Sequence, residues 1–600
     1  MIAEKLAEYG GITCGHFFPA AGDTAWKNIS QADLDEIREM HERLHAAPYP
    51  MRTLTGFLAF VETGSRSRDE KPYFLRREKL CAAVLAVCTG DEDAMGDVLD
   101  GIWCICEESS WVVSAHNINP IPGAPRPEDM PLPDVNAPYV DLFAAQTGMI
   151  LALTLDLLSV RLDAVSPLIG QRIRSEIDTC IFRPFMQQDD FWWMGNIRKD
   201  LCNWTPWILS NILMAAYVQM DDMARLEALL RRSAGMLDRW LDVMPADGGC
   251  DEGAGYWNMA GGSLLDCIEI YEKAFGVPGL FRNESKIRNI LSFPVRAEIG
   301  NGWFLNFADC DARPFLSGER IEAAGVYLDD RELTALGRRL RGRLADELSD
   351  VPHFSRLLNK LFNPSKSQAT TSGKADVWLP DLEVRIVRRA GVTLAVKGGH
   401  NGENHNHNDV GSFMLYIDDE PVIVDAGNMT YTAKTFSDER YTLWNVRSAY
   451  HNLPIAGTCE QSPGRAYAAR RVRALPNGIS LGLEGAYDCA SGLEMLTREA
   501  VLSGDGTLTL RDTLRMNRPE PVTWVFMFRE EPVLDGSRIR TGKMRMQIPA
   551  EAGVCIECIP VEDPRMQKSF PGNLYRVLIR VEAAGQADVE FIVRRNDTYE

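Results

Sequence analysis

Nowhere does the chain hold an uninterrupted apolar run of the roughly 18 residues that a membrane-crossing helix needs. Its first residues, MIAEKLAEYGGITCGHFF, carry no apolar leader segment and no cleavage pattern. The sequence therefore reads as cytoplasmic as given, and a leader removed beforehand would make it periplasmic or secreted instead. A positive surplus is also lacking: 64 Lys and Arg stand against 84 Asp and Glu, a formal net charge of −20. Such a surface repels phosphate backbones and anionic lipid, so neither nucleic acid nor a membrane is an expected partner. Fourteen cysteines show no repeated spacing, the usage of a reduced compartment. The lone C-x-x-C, Cys555 to Cys558, sits in a strand-like run without the second pair that a zinc site would normally need. Histidine is scarce, nine in all, yet four fall between His400 and His451.

What is present changes character along the chain. From about residue 30 to 360 apolar residues recur with helical spacing, beginning with SQADLDEIREMHERLHAA, where Ser30 is placed to cap a helix. Several of these helices are apolar on more than one face, which suits the inner layer of a helical-hairpin array. NPSKSQATTSGK, from Asn363, is polar and aperiodic and marks a linker. Beyond it, short β-rich runs separated by Gly, Asp, Asn and Pro point to an antiparallel sandwich. The expected fold is a multidomain α+β protein: an incomplete (α/α) toroid over 1–370, then an antiparallel β-sandwich over 371–600.

Chemistry concentrates in Gly398 to Gly427, GGHNGENHNHNDVGSFMLYIDDEPVIVDAG. Phe413 to Ile417 and Val422 to Val424, joined by Asp418-Asp419-Glu420-Pro421, read as a hairpin. His405 and His407 are two apart, so an extended segment would point both imidazoles the same way. With Asp409 and Asp425 nearby in sequence, the set could assemble around a divalent cation, zinc or a neighbouring first-row metal. The plainer reading is a His-Asn loop that satisfies its own backbone.

Four further pieces, in order, carry a resemblance: Cys202-Asn203-Trp204-Thr205-Pro206-Trp207, Glu252-Gly253-Ala254-Gly255-Tyr256-Trp257, Asn404 to Asp409 running on to Val424-Asp425-Ala426-Gly427, and Arg447-Ser448-Ala449-Tyr450-His451-Asn452. With them the chain resembles the heparinase II/III family of polysaccharide lyases, which join a toroid to a sandwich and cleave uronic-acid polymers by β-elimination. The resemblance implies an acidic polysaccharide or oligosaccharide as substrate. It casts Asn203 as the group that neutralises the uronate carboxylate, Tyr256 as the catalytic tyrosine and His405 as base or orienting group. His407, Asp425 and His451 become ligands of a divalent metal, zinc first, with manganese or calcium as alternatives. A phenol needs positive charge nearby to ionise readily, and His405 or the cation would supply it.

Around these, His116, Trp193, Trp204, Arg198, Glu252 and Arg440 are candidates for contacting substrate: tryptophans by stacking on sugar rings, arginines by attracting the acidic polymer. Trp204 stands where some relatives carry histidine, which leaves the C5 epimer open. Glycosaminoglycans of the hyaluronan, chondroitin or heparan type are preferred over alginate. A hydrolase would instead need paired carboxylates, for which Glu107, Glu108, Asp251 and Glu252 are candidates. A glycan-binding protein without catalysis is the third reading, and a homo-oligomer is left open.

Overall fold

The computed structural model of the chain describes residues 1–349, 351–365, 374–583 and 585–596. Most of the expected linker, residues 366–373, lies outside them. Two units emerge. One comprises Met1–Met244, Asn258–Leu291 and Ser317–Thr370, the other Pro245–Trp257, Ser292–Leu316 and Thr371–Glu600. Two early segments therefore belong with the strands, unlike the contiguous 1–370 and 371–600 expected. The reason is local: Glu298–Gly300 and Trp303–Phe304 form a small antiparallel hairpin, and the Gly-rich residues before Tyr256 have no helical stripe to bury.

The first unit is helical, as its periodicity implies. Ser30 accepts from the backbone N–H of Asp33 at 3.2 Å and so caps Gln31–His45. Leu142–Val165 is long and apolar enough to cross a membrane by length and composition, but the window that qualifies is 89% buried inside the protein. It is a core helix, apolar all round because other helices surround it. Asp141 caps its first turn by accepting from Ala144 N–H at 2.7 Å.

The second unit is built on two antiparallel sheets. In one, strands run in the order Arg470–Leu475, Gly478–Gly482, Leu493–Leu502, Leu508–Met516, Gln586–Arg595, Met544–Gln547, Arg538–Arg540 and Val533–Asp535. The other runs Gly553–Pro560, Asn573–Ala583, Glu520–Phe528, Glu420–Ile423, Phe413–Ile417, Val392–Lys397, Val384–Arg389 and Val377–Leu379, with Pro454–Ala456 also pairing to Glu520–Phe528. Alternation along Leu508–Met516 sends Leu508, Leu510 and Leu514 into a core shared with Leu394, Phe413 and Phe526 of the facing sheet. Cys555 and Cys558 lie exposed on the edge strand Gly553–Pro560.

The expected hairpin forms with a tighter turn than its sequence suggests. Ile417 pairs with Glu420, so Asp418 and Asp419 alone make the turn, both with positive φ. Glu420 and Pro421 thus begin the return strand.

One polar lattice interrupts the apolar core. Arg498 lies opposite Asp512 in the ladder and meets it through two hydrogen bonds of 2.9 and 2.7 Å. Its remaining nitrogen donates to the carbonyls of Gly411 and Asn452, while Trp524 of the other sheet donates to Asp512 at 2.7 Å. Asn452 in turn donates to the carbonyls of Phe413 and Val424 and accepts from Met527 N–H. Removing Arg498 would strand a buried carboxylate, so Arg498→Ala is expected to cost about 3–5 kcal/mol in denaturant unfolding. An unchanged midpoint would show that water or a rearrangement satisfies Asp512.

Candidate functional site

Three separate pieces of the second unit meet at Asp309. Two of them need glycine where they approach Cys310. Gly253 has φ +98°, and a Cβ there would stand 2.5 Å from the Cβ of Cys310. Gly427 has φ +67°, and its Cβ would stand 2.5 Å from the Cys310 carbonyl oxygen. Only glycine permits both the backbone and the approach. The pieces are then tied by amides: Asn306 donates to the Asp425 carbonyl at 2.9 Å and Asn428 to the Asp309 carbonyl at 3.1 Å.

The Asp309 carboxylate is shared. His405 Nδ1 lies 3.0 Å from Oδ2, His407 Nε2 lies 3.0 Å from Oδ1, and the Arg440 guanidinium lies 2.9 Å from Oδ2. Burial opposes its ionisation, but the bonds from His405 and His407 and the charge of Arg440 hold its carboxyl well below the usual range. His405 and His407 do face one partner, though not by the extended geometry expected. His405 sits in a turn with φ +54°, a left-handed conformation uncommon for a residue with a Cβ.

Two phenols stand at the same nitrogen of His405 that faces Asp309. Tyr256 Oη is 3.4 Å and Tyr431 Oη 3.2 Å from His405 Nδ1, the two hydroxyls touch each other, and the Tyr256 ring lies 4.7 Å from the imidazole. Glu252 faces the other imidazole nitrogen at 3.4 Å. Burial, reinforced by Tyr431, Asp309 and Glu252, pushes the Tyr256 phenol well above its ordinary value, so it rests neutral. Burial opposes protonation of His405, the expected source of positive charge, but Asp309 and Glu252 raise its pKa. Besides Arg440, Arg565 brings positive charge here, 5.1 Å from the centre of the Tyr431 ring and paired with Asp311 at 2.9 Å. Asp309, Tyr431 and Arg565 were not read from the sequence, and none stands in a recognisable motif.

Beyond His407 lies a second cluster. Its ligand atoms and those of Asp425 and His451 all fall within 4.8 Å of one another, and all three residues are buried. His451 Nδ1 meets Asp425 Oδ2 at 2.8 Å. His407 Nδ1 and His451 Nε2 are buried with no hydrogen-bond partner among the described residues. Two imidazole nitrogens without partners beside a carboxylate are a donor set that fits zinc, and Asp309 on His407 Nε2 is the outer carboxylate such ligands usually have.

Arg440 does not present its charge to solvent as expected. It is buried, and besides Asp309 it donates to the carbonyls of Asn406 and Thr435, clamping the histidine loop. Asp251, a candidate hydrolase carboxylate, accepts from Asn404, and Glu252 is occupied with His405.

The helical unit holds the other candidates. Asn203 occupies the N-cap position of Trp204–Gln219, yet its side chain makes no capping bond. Next to it, Trp204 is half-buried, with its ring 4.8 Å from that of His116 and 5.1 Å from Trp192. His116 Nδ1 contacts Asp141 at 2.8 Å, and its ring stacks on Phe143. Trp193 departs from expectation: it is fully buried, donating to the Val140 carbonyl and packing on Phe185 and Phe191, so it cannot stack on a sugar. Arg198 is paired with Asp200 and lies over Trp192. Glu108 is locked among Arg52, Arg76 and Arg77 and offers no hydrolytic carboxylate.

Comparison with known proteins agrees with the fold. Residues 371–559 match the family described as Heparinase II/III-like, C-terminal. No curated protein matches the chain by sequence. Among solved structures, a mutant heparan sulfate lyase from Pedobacter heparinus aligns over 100% of this chain and 93% of its own, at 13% identity and TM-score 0.59. A structure titled Heparinase III aligns over 95% and 93%, at 10% identity and TM-score 0.63. A chondroitin AC lyase from Streptomyces coelicolor A3, in complex with chondroitin sulphate, aligns over 100% and 82%, at 12% identity and TM-score 0.51. At these identities the likeness establishes a shared fold, a helical region followed by antiparallel sheets.

The close approach of Gly253 to Cys310 makes a specific demand. Gly253→Ala is expected to cost about 1–3 kcal/mol through backbone strain and collision, read as a lowered unfolding midpoint. A midpoint equal to that of the unmodified protein would mean that the Tyr256 segment is not fixed by this contact.

Proposed function

We propose that the chain is a polysaccharide lyase that cleaves a uronic-acid-containing glycan by β-elimination, leaving a 4,5-unsaturated uronate end. The observation that carries this is the convergence of Tyr256, Tyr431 and His405, with His405 held between Asp309 and Glu252. Elimination needs one group to take the C5 proton and another to protonate the departing O4. Tyr256 and His405 are that pair. The neutral phenol of Tyr256 is suited to donate at O4, and the carboxylates of Asp309 and Glu252 orient the imidazole. Burial and the charge of Asp309 push the Tyr431 phenol up as well, and Arg565 beside its ring offsets only part of that, so Tyr431 too rests neutral. For Asn203 we propose neutralisation of the uronate carboxylate, by hydrogen bonds that strengthen as charge spreads onto that group.

Glycosaminoglycans are the favoured substrates, since the similar solved structures include a heparan sulfate lyase and a chondroitin AC lyase. We propose zinc for His407, Asp425 and His451, where it would brace the loop that carries His405. The hydrolase reading loses ground because Glu108, Asp251 and Glu252 are each engaged inside the protein.

Incubation with a panel of hyaluronan, chondroitin, heparan sulfate and alginate is expected to raise ultraviolet absorbance from the unsaturated product on at least one of them. No rise on any, with binding intact, would leave a glycan-binding protein. Tyr256→Phe is expected to lower turnover by about 100-fold or more at an unchanged unfolding midpoint; retained turnover would remove Tyr256 from its role. His407→Ala is expected to lose one equivalent of zinc per chain by elemental analysis, and equal zinc content in both proteins would remove His407 from the ligand set.

A further inference from the structure

The helical unit contains a second group of metal-ligating side chains, unconnected with the residues proposed for elimination. His41 and His45 are one turn apart on Gln31–His45, so their rings project from the same face, with centroids 5.6 Å apart. Asp97, in the first turn of Met95–Cys106, reaches both: its Oδ2 is 2.9 Å from His41 Nε2 and 2.6 Å from His45 Nδ1. The three ligand atoms lie within 4.8 Å of one another. We propose that His41, His45 and Asp97 form a binding site for a first-row divalent cation of the zinc type, which ties Gln31–His45 to Met95–Cys106.

Three features set this group apart from a simple surface ion pair. Both imidazoles aim at one carboxylate oxygen, so every nitrogen facing it must carry a proton in the absence of an ion. A cation at the centre replaces those protons, and bonds of about 2.0–2.2 Å to each ligand need only a small widening of the present separations. Second, the other nitrogen of His41, Nδ1, faces Asp91 Oδ2 at 3.6 Å. A carboxylate behind a ligating imidazole is the usual outer partner that sets its tautomer and orientation. Asp91 is itself fixed, since Oδ1 accepts from Asp93 N–H at 3.1 Å. Third, the backbone of Asp97 is held from the opposite side, its carbonyl accepting from Tyr49 Oη at 2.8 Å.

The burial is graded in a way that suits exchange with solvent. His41 is 8% exposed, whereas His45 is exposed and Asp97 half-buried. The buried ligand supplies a fixed direction and the open side leaves room for water to complete the shell. Two imidazoles and one carboxylate select zinc, cobalt or nickel over calcium and magnesium, which prefer all-oxygen shells.

The test is direct metal titration of the full chain, without a polyhistidine tag and after chelator treatment, with Zn2+ and Co2+. Because His407, Asp425 and His451 are proposed to hold zinc too, His407→Ala serves as the background. In it, one equivalent of ion is expected to remain, with a Co2+ absorption band, and His45→Ala is expected to abolish both. His45 is exposed, so that variant should fold, and an unchanged far-ultraviolet circular dichroism spectrum checks it. Asp97→Asn should weaken binding at least tenfold, and Ca2+ should not compete. Binding of the same number of ions with and without His45 would overturn the proposal. Loss of an ion with His45→Ala but none with His407→Ala would instead keep this site and reject the other.

Discussion

A single carboxylate organises the candidate site. Asp309 accepts from His405 on one oxygen and from His407 on the other, and Arg440 completes its shell. Neither histidine can turn without giving up a charged partner in a region of low water access, where such partners are strongest. The arrangement divides labour between two residues that are neighbours but one in sequence. The same aspartate that fixes the imidazole beside Tyr256 also fixes the one beside Asp425 and His451. His405 and His407 are thus linked through the two oxygens of one carboxylate.

Behind this stands the lattice of Arg498, Asp512 and Asn452. Asn452 follows His451 directly and uses its amide on Phe413 and Met527, in two strands of one sheet, and on Val424, just past the end of a third. Arg498 reaches the carbonyls of Gly411 and Asn452 from the other sheet. A buried polar group is tolerated only where every partner is in place, so the lattice specifies one register for both sheets as well as the seat of His451.

Much of this architecture is legible in the residues. The change from helical to strand periodicity falls where the longest block of the strand-rich unit begins, Ser30 caps its helix as read, and the stretch Gly398 to Gly427, dense in His, Asn and Asp, supplies residues of the candidate site. Other features are not written locally. Trp193 and Arg440 have the composition of ligand-contacting residues, but burial is decided by elements distant in the chain, and both are enclosed. Asp309, in FADCDARP, has neither periodicity nor motif, and its partners lie 96 and 98 positions away. Tyr431 acquires meaning only from its neighbour Tyr256, which is 175 residues earlier. The neutral state of Tyr256 is set mainly by burial, with Tyr431 and Asp309 arriving from distant segments and Glu252 from its own.

That the second unit borrows Pro245–Trp257 and Ser292–Leu316 from within the helical half bears on how the protein is made and how it can be recombined. A growing chain releases Glu252, Tyr256 and Asp309 well before their partners in the histidine loop exist, an interval on the order of ten seconds at ordinary synthesis rates. During it those segments have no sheet to join. A gene fragment beginning near residue 371 would encode most of the strands yet leave His405 and His407 without their shared acceptor. The β unit is thus a structural body but not a hereditary module, and exchange at that boundary between relatives would preserve the site only where the donor of the helices supplies a matching aspartate and tyrosine.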